Sequence, residues 1–216
     1  FIDIAKGKLA GINEVGMVRA ATMTNTNNGK APALVIVGEW MIPHIYKFDK
    51  GGFVEIKSNL NELNGWWTAV ASTDVNNDGN IDIIAANSND KTVSWYKNNG
   101  DSTFEEQSII TDENRAISVC ASDLDNDGDM DVISASSFDN SISWYKNNGD
   151  ETFTQQTAIS LNADGANRVI ASDVNDDGFM DILSTSYGDN KVAWYQNNGD
   201  GTFSEEKIIT PLSSII

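Results

Sequence analysis

Cysteine is almost missing from this 216-residue chain. Cys120 stands alone, so no internal disulfide can staple the fold. It lies three residues before an aspartate-rich loop, where Ala71 and Ile170 hold the matching places, and reads as a small apolar packing residue. The lack of disulfides does not assign the protein to the cytosol, because bound metal can do similar work. Histidine is equally scarce: His44 has no second histidine and no identifiable serine or cysteine partner, so it reads as a loop residue. There are three arginines, Arg19, Arg115 and Arg168, too few for an obvious catalytic groove. No run approaches the roughly eighteen apolar residues of a membrane span, and no signal peptide is present, so membrane insertion is not expected. Basic residues number 14 against 32 acidic ones, a formal charge of −18. Nucleic acids and anionic membranes want basic surface, so neither is an expected partner.

What the chain has in excess is one short stretch, three times over. It reads Asp74-Val-Asn-Asn-Asp-Gly-Asn-Ile-Asp82, Asp123-Leu-Asp-Asn-Asp-Gly-Asp-Met-Asp131 and Asp173-Val-Asn-Asp-Asp-Gly-Phe-Met-Asp181. Side-chain oxygens fall at positions 1, 3, 5 and 9: Asp74, Asn76, Asp78, Asp82; Asp123, Asp125, Asp127, Asp131; Asp173, Asn175, Asp177, Asp181. Glycine at position 6 allows a sharp turn. Position 7 varies in type (Asn80, Asp129, Phe179), which suits a ligand supplied by its backbone carbonyl. A hard cation such as calcium takes six to eight oxygens at roughly 2.3–2.6 Å, and this loop supplies most of them. Three calcium sites are expected. An EF-hand is excluded: position 12 is Ala85, Ser134 or Ser184 instead of glutamate, and each loop leads into a short β-branched apolar run, a strand.

The loops recur 49 and 50 residues apart. Ser94-Trp-Tyr-Lys-Asn-Asn-Gly-Asp101, Ser143-Trp-Tyr-Lys-Asn-Asn-Gly-Asp150 and Ala193-Trp-Tyr-Gln-Asn-Asn-Gly-Asp200 keep the same beat, each succeeded by Phe104, Phe153 or Phe203. Such periods indicate propellers or solenoids. Each unit reads as four strands: A before the aspartate loop, B after it, C ending in Trp-Tyr, then an Asn-Asn-Gly-Asp hairpin into D at the Phe. Four antiparallel strands per unit with no helical periodicity make a propeller blade, so the expected fold is an all-β propeller of about four blades. The units run approximately 1–52, 53–103, 104–152 and 153–216 within a single domain. The first is a worn copy: aligning Gly29 with Gly79 puts Thr24, Thr26, Asn28 and Pro32 at positions 1, 3, 5 and 9, so no calcium is expected there. Phe1-Ile-Asp-Ile resembles Phe53-Val-Glu-Ile and reads as the outer strand of a preceding blade. Five D strands against four A-B-C sets suggest an excerpt of a larger ring.

The loop pattern together with Trp-Tyr-x-Asn-Asn-Gly-Asp-x-Thr-Phe resembles the FG-GAP or VCBS repeat, a family that includes the propeller of integrin α chains and many large secreted bacterial proteins. The resemblance implies a calcium-loaded, extracellular or secreted propeller used for adhesion or ligand binding, with positions 1, 3, 5 and 9 giving side-chain ligands and position 7 its carbonyl. Asn76 and Asn175 put neutral amides at position 3, so the site beginning at Asp123 is expected to bind calcium more tightly than its two neighbours.

Trp95, Trp144 and Trp194 recur in register and read as inter-blade core. Tyr96, Tyr145 and Tyr195 point the other way along the strand and are the better candidates for exposure, although a blade's second face is also buried. Trp40, Trp66 and Trp67 break the repeat and are the candidate ligand contacts. Asn89-Asp90, Asp139-Asn140 and Asp189-Asn190 read as B–C turns. The arginines lie ahead of the loops, where they read equally as partners for the loop carboxylates. The expected function is a calcium-stabilised binding or adhesion module for a glycan or protein, and no enzyme. The alternatives are an architectural segment of a surface or filament protein, joined to further blades or to copies of itself, and the propeller of a polysaccharide lyase or hydrolase.

Overall fold

The computed structural model describes residues 17–26, 31–63, 65–110 and 114–211. They form an all-β array of four antiparallel four-stranded blades, each built from strands that come one after another in the chain. The first blade holds β1 (Met17–Thr26), β2 (Ala31–Met41), β3 (His44–Asp49) and β4 (Gly52–Ile56). The second holds β5 (Gly65–Thr73), β6 (Asp82–Asn87), β7 (Thr92–Asn98) and β8 (Phe104–Ile110). The third holds β9 (Ala116–Ser122), β10 (Asp131–Ser136), β11 (Ser141–Asn147) and β12 (Phe153–Gln155). The fourth holds β13 (Ala166–Ser172), β14 (Asp181–Ser186), β15 (Lys191–Tyr195) and β16 (Lys207–Pro211). The first two blades are also joined where the end of β2 pairs with the start of β5, Glu39 opposite Trp66 and Met41 opposite Gly65. The first three blades take their outer strand from about the start of the next sequence unit, so there sheets and units are offset by one strand, whereas β16 lies within the last unit. The outer strands are less regular than expected. β12 has only three residues, and β16 begins at Lys207, with Phe203 held by an isolated bridge to Asn197. Phe1 and Asn28 lie outside the described residues.

Blades pack face to face, and strand alternation decides which side chain meets which neighbour. Trp95 packs forward with Val119, Val132 and Tyr145 of the third blade. Trp144 packs forward with Val169, Ile182 and Tyr195 of the fourth. Tyr96 packs backward onto Val35 and Ile45 of the first. The tyrosines are therefore not exposed, in contrast to the expectation from their alternation with tryptophan; Tyr96, Tyr145 and Tyr195 are buried because each faces back onto the preceding blade. Each forward tryptophan meets the edge of the next blade's phenylalanine, Trp95 with Phe153 at 6.3 Å and Trp144 with Phe203 at 6.0 Å. Fully burying a large apolar side chain is worth about 1.5–3 kcal/mol, so this recurring set dominates the cohesion between blades. Among the described residues no phenylalanine covers Trp194 in this way. It is half-buried beneath Lys207, whose Nζ lies 4.3 Å from the ring centroid. Val174 is 42% exposed, where its counterparts Val75 and Leu124 are 2% and 1% exposed, so among the described residues the outer face of the fourth blade is open.

The innermost strands, β1, β5, β9 and β13, stand side by side in that order. Each carries a one-residue bulge near its start. Register slips leave Arg19, Thr68, Ile117 and Asn167 as the extra residues. Those four positions keep the 49- or 50-residue beat of the loops.

Candidate metal centre

The aspartate loops connect the innermost strand of the second, third and fourth blades to the next strand outward. Their shape is set by aspartate caps on the loop's own amides. At position 1, Asp123 accepts from Asp127 N at 3.1 Å and from Gly128 N at 3.0 Å; Asp74 and Asp173 do the same in their loops. At position 5, Asp78, Asp127 and Asp177 each accept the backbone N–H of position 7. Two residues in each loop adopt the left-handed region: glycine at position 6 (φ 87°, 93° and 88°) and Asn77, Asn126 or Asp176 at position 4 (φ 58°, 59° and 59°). Asn and Asp are the non-glycine residues that tolerate that conformation, which explains their recurrence at position 4.

This winding brings carboxylates together. Asp123, Asp125 and Asp127 each place an oxygen within 4.8 Å of the others. In the flanking loops position 3 is an amide, Asn76 or Asn175, whose Nδ2 donates to Asp78 at 3.2 Å or to Asp177 at 2.8 Å. Position 7 contributes no side-chain oxygen to the group. Asp129 accepts from Asn77 of the preceding loop at 2.9 Å. The Phe179 ring and the Asp129 carboxylate rest where a Cβ on Gly199 or Gly149 would fall, at 2.5 and 2.7 Å.

Position 9 stands apart. Asp82, Asp131 and Asp181 are fully buried. One oxygen of each accepts the position-2 amide (Val75, Leu124, Val174) and the other accepts the amide of Asn98, Asn147 or Asn197. Burial pushes the Asp82 and Asp131 carboxyls up to about 6, against the pull of those two backbone donors. These residues lock the loop to the end of the C strand.

A cation already leans on the central group. The Lys146 ammonium bonds Asp125 and lies 3.0 Å from Asp127, and those two hydrogen bonds raise its pKa. The corresponding Lys97 pairs with Glu151 instead. A divalent ion fits the donor set. Every donor is a hard oxygen, and Asn76 Oδ1 and Asp125 Oδ1 are out of solvent with no hydrogen-bond partner. Leaving such an atom unsatisfied costs about 1–3 kcal/mol, which coordination would remove.

Sequence reasoning missed the first asparagine of each Asn-Asn-Gly-Asp turn. Asn147 Nδ2 donates to Val75 O of the preceding blade at 2.9 Å and to Met130 O at 3.3 Å, while its Oδ1 accepts from Gly149 N at 3.0 Å. Asn197 does the same with Leu124, Met180 and Gly199, and Asn98 with Asn25, Ile81 and Gly100. The signal was its strict recurrence, explained too readily as turn chemistry.

Of the candidate ligand contacts, Trp67 is corrected: it is 3% exposed, packed edge-on to Tyr96 in the core. Its neighbour Trp66 points the other way and meets Trp40 at 5.2 Å between centroids. Trp40 is 76% exposed and sits at φ 56° between the paired residues Glu39 and Met41.

These features define a β-propeller fold in which three of the described blades carry acidic inner loops. The chain belongs to the FG-GAP-like repeat family, whose sequence profile matches residues 74–134, 123–184 and 173–215. No curated protein matches it significantly. Among solved structures it is similar to an Agrocybe aegerita lectin described by its recognition of non-reducing terminal N-acetylglucosamine (TM-score 0.60, 21% identity, 88% of this chain and 51% of that one). It is also similar to the V. cholerae biofilm matrix protein Bap1 (0.56, 14%, 89% and 32%). An auxiliary nutrient binding protein from Bacteroides ovatus is a third (0.57, 13%, 93% and 44%). The chain spans about half or less of each of these proteins, and at such identities the likeness is one of fold.

Proposed function

We propose that this chain is a calcium-stabilised extracellular propeller that presents one rim to a glycan or protein ligand. The observation that carries the reading is the Asp123–Asp125–Asp127 cluster, with Asp125 Oδ1 buried and unpartnered, set in a loop that is repeated in three blades. Calcium would be held at positions 1, 3 and 5, with the position-7 carbonyl and the position-9 carboxylate completing the set. When bound it supplies positive charge to a cluster that otherwise repels itself. The chain's own residues do the rest: position 1 winds the loop, position 9 ties it to the C strand, and the turn asparagine carries that order to the blade before. The lectin, matrix and nutrient-binding propellers of similar fold support a binding role. Calcium at millimolar extracellular levels suits sites with dissociation constants of roughly 10⁻⁴–10⁻³ M. Thermal unfolding in calcium and in excess chelator tests the structural role; identical midpoints would remove it. A glycan array tests the binding role.

A second reading, as an architectural segment, draws on the open face around Trp194 and Val174, which further blades or another copy would cover. Sedimentation of the chain across a concentration series separates the two.

A further inference from the structure

All three arginines of this strongly acidic chain line one cavity of about 310 Å³. Their sequence positions were compatible with a role as counter-ions for the loop carboxylates, and the structure places them elsewhere. Arg115 directly precedes β9 and Asp123 comes directly after it, so the cavity and the metal loops occupy opposite rims. Its wall includes the bulged residue of every innermost strand: Arg19, Thr68, Ile117 and Asn167. A bulge re-aims a side chain that regular pleating would point elsewhere. The fold thus turns one residue per blade into a common space, and those four are chemically unlike one another. Repetition holds the backbone while the side chains diverge, the pattern of a site shaped separately from the scaffold.

Electrostatics narrow the occupant. Arg19 is tied to Glu39 at 2.6 Å. Among the described residues no ion pair engages Arg115 or Arg168. The Arg115 guanidinium lies over the Phe138 ring at 4.8 Å, and its backbone sits at φ 59°, a left-handed conformation that costs energy for arginine. Guanidinium forks match carboxylate and sulfate oxygens in pairs. The wall also offers Trp66 and the 57%-exposed Tyr187 as aromatic faces, with Thr68 and Asn167 as hydrogen-bonding groups. Trp40 extends the aromatic surface outward from Trp66. The volume falls within the range of small-molecule pockets, roughly 300–1,000 Å³.

We infer that this cavity is the ligand site of the module and that it takes a sugar bearing a carboxylate or sulfate group, the anion held by Arg115 and Arg168 and the ring faced by Trp66 and Tyr187. The inference rests on the binding-module reading and specifies its ligand. Isothermal titration of the calcium-loaded chain with tetragalacturonate, a heparin-derived tetrasaccharide and neutral chitotetraose tests it. The expected result is binding of an anionic probe, weakened by added salt, at least tenfold weaker in Arg168→Ala and Arg115→Ala, and severalfold tighter in Glu39→Gln, which frees Arg19. Arg168→Lys keeps the charge without the fork and should recover only part of the loss. Unfolding midpoints in calcium establish that each variant is folded. Binding of chitotetraose alone, unaffected by the arginine substitutions, would overturn the anionic site and leave the binding module standing. Anionic probes that bind all variants equally would place them on loop calcium and overturn it too. No binding of any of the three probes overturns it as well, and then the glycan array alone decides the wider reading.

Discussion

Asn147 of the third blade donates to the Val75 carbonyl of the second, 2.9 Å away and 72 residues earlier in the chain. The same side chain holds its own loop through Met130 O and its own turn through Gly149 N, and its backbone N–H holds Asp131. One buried amide thus joins a metal loop, a hairpin and a neighbouring blade. Replacing it by alanine strands two carbonyls and one amide, each costing about 1–3 kcal/mol when buried, partly offset where water enters. Asn147→Ala is expected to lose about 2–4 kcal/mol in denaturant unfolding, and Asn147→Asp nearly as much, because it turns a donor into a charge facing carbonyls. A loss below about 0.5 kcal/mol, the low end for a single hydrogen bond, would show that the contact is incidental.

Lys146 competes for the oxygens that calcium would use. Its bonds to Asp125 and Asp127 are partly exposed, and such pairs are worth about 0.2–1 kcal/mol. Lys146→Gln is therefore expected to lower the unfolding midpoint slightly in excess chelator and to tighten calcium binding about two- to fivefold at one of the sites. Calorimetric titration resolves this as a gain confined to a single class of site. A uniform change, or weaker binding, would mean that the lysine assists the ion.

How far the sequence carried the reading depended on the range of each signal. The aspartate spacing acts within nine residues, and the loops stand where that spacing put them, between the first and second strands of the second, third and fourth blades. The Trp-Tyr pairs marked the C strands for the same reason. Tyr145 is buried where exposure was the favoured of two readings, because the fate of a strand's second face is decided by another blade, and nothing local to Ser143–Asn147 says whether one is there. Trp66 and Trp67 alternate across one strand, so only one of them could face outward; which one depends on the bulge at Thr68. The bulges had no sequence mark at all, since arginine, threonine, isoleucine and asparagine share no chemistry. The site they build was invisible for that reason, although its three arginines were noticed.

Forward packing of the tryptophans gives blades unequal sensitivity. Trp144 is 3% exposed against Phe203, Val169 and Ile182, whereas Trp194 is half-buried under Lys207. Trp144→Ala is expected to cost about 3–5 kcal/mol, the usual range for a buried aromatic truncated to alanine. Trp194→Ala should cost less than half of that. Urea unfolding of the two variants under one calcium concentration gives the comparison, and equal losses would show that the outer face of the fourth blade is covered in solution.

Acid should stabilise the metal-free protein. Burial raises Asp82 and Asp131 to about 6, above their unfolded value of 3.8. Between those values the folded chain binds more protons than the unfolded one, so stability falls as pH rises through that window and the cost is fully present above it. In excess chelator the unfolding midpoint is expected to rise as pH drops from 7 to about 5, and relief of the −18 charge acts in the same direction. Calcium should flatten or reverse the trend, because protons then displace the ion. A chelated midpoint that falls over that range would contradict the burial of these two carboxylates.

Gly128 separates backbone strain from packing in the central loop. Its φ is 93°, and a Cβ there would meet nothing within 4 Å. Gly128→Ala therefore changes no contact, and any effect comes from forcing an L-residue into a conformation that costs about 1–2 kcal/mol. The same turn orients the Asp129 carbonyl, the position-7 oxygen proposed for calcium. The variant is expected to lose about 1–2 kcal/mol in chelator and more than that in calcium, because the loop relaxes away from the geometry the ion requires. Gly149→Ala serves as the contrast: its Cβ would fall 2.7 Å from the Asp129 carboxylate, so that side chain must swing aside in addition to the strain. If Gly128→Ala cost the same with and without calcium, the position-7 carbonyl would have no part in holding the ion.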